Sequence, residues 1–557
     1  MSVTPPAETP AGSPGRLKTT GVDVRRFPWI RPLAGDYAYR FKHVEGLYAG
    51  DPTQPQAWRD AVARAQQHPR DRAAVVSMLA AQQEQRGAPA AARAAVDRLA
   101  DPATVAILTG QQAGAFGGPL YTLLKAIAAL QLARRTEREI NVPVQAIFWV
   151  EAEDHDWKEI RSCTVLDAEF QPRTVTLSDP EGAGEVPIAR LNLDQRVEQT
   201  IDELASALQQ TEFTSDVLAN LRSAWRPGIG MARAFAVWIE RLLGPHGLIV
   251  FESADAAAKP LVSSVFSREL SDPGRTSILA AEAGEKLAAL GHAPQVEPLP
   301  DSVSLFSLDG GGRRPIRRQG DHLVIGDDSH SIEAMAREAA TRPAAFSPNV
   351  LLRPIVQDTL FPTICYVAGP SELAYLGQLR GVYEQFGVPM PLMFPRTTAT
   401  LIDSGATRFL TKYNVPFEEL RTPDESALNR LLEAQLPPQV EESLRDAAAR
   451  THDTMSRVME ALPLLDPTLE GAARTTLGKM EHELRSLHTK VIHAAKKRHE
   501  TLRRQFVRAQ AQAFPEGHPQ ERMLAVVYFL NKYGPGLVDL LLDELPIDLG
   551  HHWLITL

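Results

Sequence analysis

Short apolar runs recur along the first three quarters of the chain, each followed by a stretch of helical composition, and this alternation limits the possible folds more than any other feature. Val105-Ala106-Ile107-Leu108, VPVQAIFWVEAEDHD from residue 142, GPHGLIVFESAD over 244–255, VLLRPIVQD over 350–358 and TICYVAGP over 363–370 each read as a strand, and VPMPLMFPRTTAT closes the series. Strands this short, apolar and rich in β-branched residues belong in a parallel sheet with helices on both faces. Two intervals break the rhythm, near 161–225 and near 290–345. Their short alternating runs, FQPRTVTLSD and HLVIGDD, predict small β-rich inserts able to shape a cleft.

Beyond about Asp424 the pattern changes. Val440, Leu444, Ala448, Thr451, Met455, Val458 and Leu462 keep a three-to-four spacing up to LPLLDPTLEG, and Leu477, Met480, Leu484, Leu487, Val491 and Ala494 resume it. Heptads on both sides of a Pro-containing turn predict an antiparallel helical hairpin over 421–513, with a second arm of about 60 Å. Residues 471–510 hold ten Lys or Arg against three Glu, whereas 421–470 hold five against ten acids. Charge complementarity between the arms accounts for this better than a nucleic-acid surface does, given a formal charge of −9 for the chain. Residues 514–557 read as a helical segment returning to the core.

A chain of 557 residues exceeds what one hydrophobic core sustains, so several units are expected. No apolar run approaches the roughly 20 residues of a membrane span. Residues 1–20, rich in Pro, Thr and Ala, lack the apolar centre of a signal peptide and read as a disordered tail, which implies a cytoplasmic protein. The two cysteines, Cys163 and Cys365, cannot build a disulfide framework and suit a reducing compartment.

Three motifs carry candidate chemistry. The first, TGQQAGAFGGPLYTLLKA over 109–126, follows a strand with four glycines and two amides. Backbone N–H groups near Gly117 and Gly118 could approach an anion at the start of the helix after Pro119, with Lys125 off the apolar stripe of Leu120, Leu123, Leu124 and Ile127 to neutralise it. The segment is neither a Walker A loop nor a G-x-G-x-x-G fingerprint, so a structural turn and an anion site are equally open at this point. The second, WVEAEDHD, crowds Glu151, Glu153, Asp154, His155 and Asp156 at a strand end, where open α/β sheets bind ligands. Such acids need a cation, an amine or a proton beside them. No H-E-x-x-H or remote His pair points to a dedicated metal, and His155 reads as a base or orienting group with Asp154 and Asp156 as its partners. The third places Arg353, Gln357 and Asp358 at the end of VLLRPIVQD, and Ser371 and Glu372 after Gly369-Pro370.

These stretches, with LRPIVQDTLFPTICYVAGPSELAYL, LDPTLEG, GDYAYRF over 35–41 and QERMLAVVYFLNKYGPGLVDLLLDEL, resemble the cysteine-adding enzymes of bacillithiol biosynthesis, and the likeness runs over nearly the whole chain. It implies a Rossmann-like core over 21–420, similar to the nucleotide folds of class I synthetases, with two inserts and a C-terminal coiled coil. It also implies a ligase that adds cysteine to glucosaminyl malate through an amide bond. Both cysteines then read as small buried hydrophobes rather than nucleophiles.

Under that resemblance Asp154, His155 and Asp156 are the expected catalytic residues, acting on the glucosamine amine. Gln111, Gln112, Gly117, Gly118, Lys125 and Arg353 are expected to hold an anionic group, while Tyr121, Glu153, Gln357, Asp358, Ser371 and Glu372 complete the substrate site. Activation of a free carboxylate suggests ATP with Mg. Arg396, Thr397 and Thr398 in FPRTTAT are the nucleotide candidates, set against an ordinary capping turn. Apolar residues off the closing stripe, Leu469, Ile492, Phe506 and Val507, predict a homodimer through the hairpin. Two other classes stay open at this stage: a metal-dependent amidohydrolase using the acidic strand end, and a non-enzymatic scaffold whose coiled coil is its function.

Overall fold

Val105–Gln112 (β1) is buried over its first six residues, which leaves no solvent face for polar side chains and explains an unbroken apolar run in place of alternation. It pairs in parallel with Val144–Glu151 (β2), in register from Val105 opposite Val144 to Gln112 opposite Glu151. Ile249–Glu252 (β3), Thr363–Ala368 (β4) and Leu392–Pro395 (β5) complete a parallel sheet of order β5-β4-β1-β2-β3. The chain begins at the centre, moves outward through β2 and β3, and then crosses back to β4. This reversal between β1 and β4 is the topological switch at which such sheets open a crevice.

The computed structural model describes residues 17–308, 312–422 and 424–557. Residues up to Thr400 and those of Gln520–Ile555 form one unit, and Leu401–Pro519 another. In the first, the helix Leu120–Ile140 joins β1 to β2 and ends at Asn141 in the left-handed conformation, φ 61°. The single apolar stripe expected of it is corrected. Thr122 and Lys125 are also buried, at 0% and 3% exposure, because the helix packs on the sheet and is met by Gln520–Met523, Val526–Tyr533 and Gly536–Glu544.

The strand expected over 350–358 is instead the helix Arg353–Leu360. Leu352, Ile355, Val356 and Leu360 recur at helical spacing and are buried, and Pro354 sits in the first turn, where its missing N–H costs no hydrogen bond. The first insert is β-structured only through the antiparallel hairpin of Ser162–Leu166 and Pro172–Thr176, and continues as the helices Arg196–Ala207 and Thr214–Ala224. The second contributes Ser302–Ser307, Arg314–Gln319, His322–Ile325 and Asp328–Ser331 to an antiparallel sheet completed by Phe346–Pro348.

The strand Lys18–Asp23 takes in residues 18–20, which the sequence reading assigns to the tail; residues 1–16 of that tail lie outside the described residues. Its sheet neighbour is His551–Thr556, so the C-terminal segment closes in a strand, not a helix. Among the described residues no helix is long and apolar enough to cross a membrane.

In the second unit Pro438–Ala461 and Leu469–Arg498 pack side by side, and the second arm breaks at His499 before resuming as Glu500–Ala513. The expected heptad splits between two faces. Leu477 is buried and Leu484 and Val491 are half-buried, whereas Met480 and Leu487 are 45% and 48% exposed. Ile492 and Phe506 are buried within the unit, Phe506 against the Phe409 ring at 6.1 Å, so only Val507 of the large residues expected off the stripe stands out at 40% exposure. Charges do meet between the arms, as expected: Lys496 pairs with Glu425, His452 Nδ1 lies 3.2 Å from Glu481 and His488 Nε2 lies 3.4 Å from Glu441, and further pairs run along single helices. Arg445–Glu441, Arg450–Asp446, Arg474–Glu470 and Arg485–Glu481 all pair four residues apart on one helix.

Candidate active site

The crevice between the carboxyl ends of β1 and β4 opens into a cavity of about 310 Å³. Gly110, Gln111 and Gln112 of β1, Trp149 and Glu151 of β2 and Tyr366 of β4 line it, and Arg353, Gln357, Glu372, Tyr375 and Tyr383 close it from the following segments. Only glycine fits at 110: a Cβ there would stand 2.9 Å from the Trp149 carbonyl oxygen.

Two ion pairs contribute to this lining, through Glu151 and Arg353 and through Glu372. Glu151 accepts from Arg353 Nε at 2.8 Å, from the Trp149 indole at 3.0 Å and from the Glu153 amide at 3.0 Å. Lys125 reaches Glu372 at 2.7 Å, the Gly110 carbonyl at 3.0 Å and Gln111 Oε1 at 3.2 Å. Burial lowers the Lys125 pKa, against the support of Glu372, and its three acceptors leave it no free donor for an anion. Gln111 donates to the Tyr121 hydroxyl at 3.2 Å, and Glu372 also accepts from the Gly369 amide.

From the cavity wall, Gln112 donates to Asp154 at 3.4 Å and Glu159 at 2.9 Å. Burial opposes ionisation of Asp154, yet the His155 amide and the guanidiniums of Arg313 and Arg353 outweigh it and hold the carboxyl below its usual range. His155 Nδ1 lies 3.4 Å from Asp154 Oδ1, with its side chain 46% exposed. Asp156 accepts from the Glu159 amide at 3.2 Å and so caps the helix Trp157–Ile160, while Glu153 is buried against Lys259 and Ser347. The acidic run is thus separated by burial: Glu151 and Glu153 turn inward to cations, and Asp154 and His155 remain at the edge.

Several expected site residues lie elsewhere. Gly117 and Gly118 have φ of 96° and 69°, and a Cβ on Gly117 would meet Trp238 Nε1 at 2.6 Å. The first amide of the following helix, Leu120, donates to the Leu524 carbonyl at 2.9 Å. This glycine pair is therefore a packed turn, outside the cavity wall, and the anion cradle read from sequence is not formed there. Asp358 is buried beneath the cavity, held by the hydroxyl of Tyr383 and by Gln357, and burial raises its pKa to about 6. Ser371 accepts from Arg522 at 3.2 Å.

The nucleotide candidates are buried and already bonded. Arg396, Thr397 and Thr398 are 4%, 1% and 5% exposed, with Arg396 in a two-pronged pair with Glu521 at 2.8 Å and Thr397 donating to the Pro546 carbonyl at 2.8 Å. A phosphate could enter only by breaking a buried ion pair. Cys163 and Cys365 are buried thiols; burial pushes Cys163 up to about 12 and raises Cys365 further. Sequence reasoning missed Tyr366, Tyr375 and Tyr383, which stand inside or near the quoted motifs, and also Gln295, Val296 and Arg313, although they lie in the second insert, the interval expected to shape a cleft.

A model of the bacillithiol biosynthesis BshC N-terminal Rossmann-like domain matches residues 18–397, and one of the BshC C-terminal coiled-coil domain matches 399–557. The chain belongs to the BshC family of bacillithiol biosynthesis. A relative from Salinibacter ruber, named "Putative cysteine ligase BshC", is 33% identical over 525 residues, covering 93% of this chain and 95% of its own. One of the same name from Koribacter versatilis is 34% identical over 479 residues, covering 86% and 88%. As a BshC chain the protein carries its conspicuous cavity at the sheet crossover of the Rossmann-like domain, and the coiled-coil model spans the hairpin.

Proposed function

We propose that this BshC chain is a ligase that joins the carboxyl of cysteine to the amine of glucosaminyl malate in the last step of bacillithiol biosynthesis. The cavity carries the reading: Arg353 on one side, bound through Nε to Glu151, and the Glu372 carboxylate bring both signs to its lining for a small zwitterion such as cysteine. The relatives' name supplies the reaction class. Arg353 and Gln111 orient the amino acid. Asp154 orients His155, which takes the proton lost as the neutral glucosamine nitrogen bonds to the cysteine carboxyl carbon and the activating group leaves with its bonding pair.

A free carboxylate does not acylate an amine unaided, so ATP with Mg is the activating cosubstrate in this reading. Lys125 has no free donor and Arg396 is buried against Glu521, so neither fits a triphosphate and no step is assigned to it. Buried free thiols agree with a cytoplasmic site of action. The exposed Val458, Met480, Leu487 and Val507 support a homodimer through the hairpin, since apolar heptad positions left outside one seam need a second. The deciding experiment mixes protein, glucosaminyl malate, cysteine and ATP and follows the thiol product by mass spectrometry. Product that depends on all four supports the assignment; no product under any condition overturns it.

A further inference from the structure

Away from this cavity, three metal-ligating side chains from distant parts of the first unit converge. Asp36 lies on the helix Pro32–Tyr39, His43 ends the turn Phe41–His43, and His292 follows the helix Arg275–Ala289. His292 Nε2 stands 3.1 Å from Asp36 Oδ2, and His43 Nε2 stands 3.8 Å from the same oxygen. All three donor atoms fall within 4.8 Å of one another. Ligands held tetrahedrally at about 2.0–2.1 Å from zinc are about 3.3 Å apart, so the Asp36–His292 separation already matches and His43 needs a small side-chain closure to join them.

A simple Asp–His hydrogen bond explains the His292 contact but not the second ring. At 3.8 Å the His43 nitrogen is too far to bond Asp36 and hydrogen-bonds the Leu290 carbonyl at 3.3 Å, yet it stands beside the oxygen His292 already meets. Arg40 occupies Asp36 Oδ1 at 3.0 Å and leaves Oδ2 to the imidazoles. Asp36 and His292 are each 7% exposed while the His43 side chain is 43% exposed, which gives two sheltered ligands and one at the solvent edge.

We propose that Asp36, His43 and His292 bind a divalent transition-metal ion, with zinc the best match to two imidazoles, one carboxylate and a fourth position for water. Such an ion would be a clamp. Three residues beyond His292, Gln295 and then Val296 line the substrate cavity, and their amides both donate to Gln378 at 3.1 Å. The ion would tie the helix Pro32–Tyr39 to the segment that walls the cavity, and it takes no part in the ligation chemistry.

The test uses full-length protein stripped with chelator, then titrated with Zn(II) and, for its visible spectrum, Co(II). The expected result is saturable binding of one ion per chain, a tetrahedral Co(II) absorption band and a rise in melting temperature with zinc. His292→Ala abolishes all three. His43→Ala, whose exposed position lets circular dichroism confirm an intact fold, weakens binding by more than the roughly tenfold to hundredfold that losing an outer-shell partner costs. Absence of saturable binding in the wild type, or binding and spectrum unchanged in folded His43→Ala, overturns the proposal.

Discussion

Arg353 is the side chain on which the cavity's charge balance turns. Removing it leaves Glu151 inside the wall with only the Trp149 indole and the Glu153 amide as donors. A lost hydrogen bond to a charged group is worth about 1.5–3 kcal/mol, so Arg353→Ala is expected to lower kcat/KM by roughly tenfold to a hundredfold in the thiol-product assay. His155→Ala separates chemistry from folding: with an exposed side chain it should abolish product while the melting temperature barely moves, and retained activity would remove its role as base. Asp358 gives a prediction in pH. Its folded pKa, about 6, exceeds the ordinary 3.8, so the folded state holds the proton more tightly. Stability from this group is complete below about pH 4 and falls as pH rises to about 6, a loss near 3 kcal/mol for a two-unit shift. Asp358→Asn should therefore be less pH-sensitive than wild type between those limits in urea unfolding, and identical slopes would refute the assignment. These buried partnerships could not be read from sequence, because Lys125, Arg353 and Arg396 look like any cation until the fold shows which carboxylate each one meets.

At the level of elements, the parallel strands were legible because burial on both faces leaves an unbroken apolar run. The same signal misled at 350–358, where a short run serves a buried helix as well as a strand. The glycine loop shows a similar limit. Its glycines mark backbone constraint, but that constraint comes from Trp238 and a left-handed turn, not from a ligand. Gly117→Ala is thus expected to destabilise by about 1–3 kcal/mol, through φ strain and the indole clash, and to lower the melting temperature without raising the KM for either substrate. A selective rise in KM with stability intact would restore the anion-binding reading.

For the whole molecule, the expected assembly is a dimer through the hairpin. Light scattering on the full chain should give about twice 61.1 kDa, and Met480→Glu with Leu487→Glu should return it to the monomer mass without loss of helicity. A wild type at 61.1 kDa would reject the dimer. The sequence by itself determined the five strands of the parallel sheet, the place where the heptads begin and the motifs that gather at the sheet's carboxyl edge, since periodicity and backbone preference are local properties. Only the tertiary structure decided which motif residues face the cavity. Glu151 and Glu372 turn inward to Arg353 and Lys125, whereas Asp156 turns away to cap a helix and Arg396 is taken by Glu521. The meeting of Asp36 and His43 with His292 belongs to the same class, because a separation of some 250 residues is closed by packing, which no window of sequence contains.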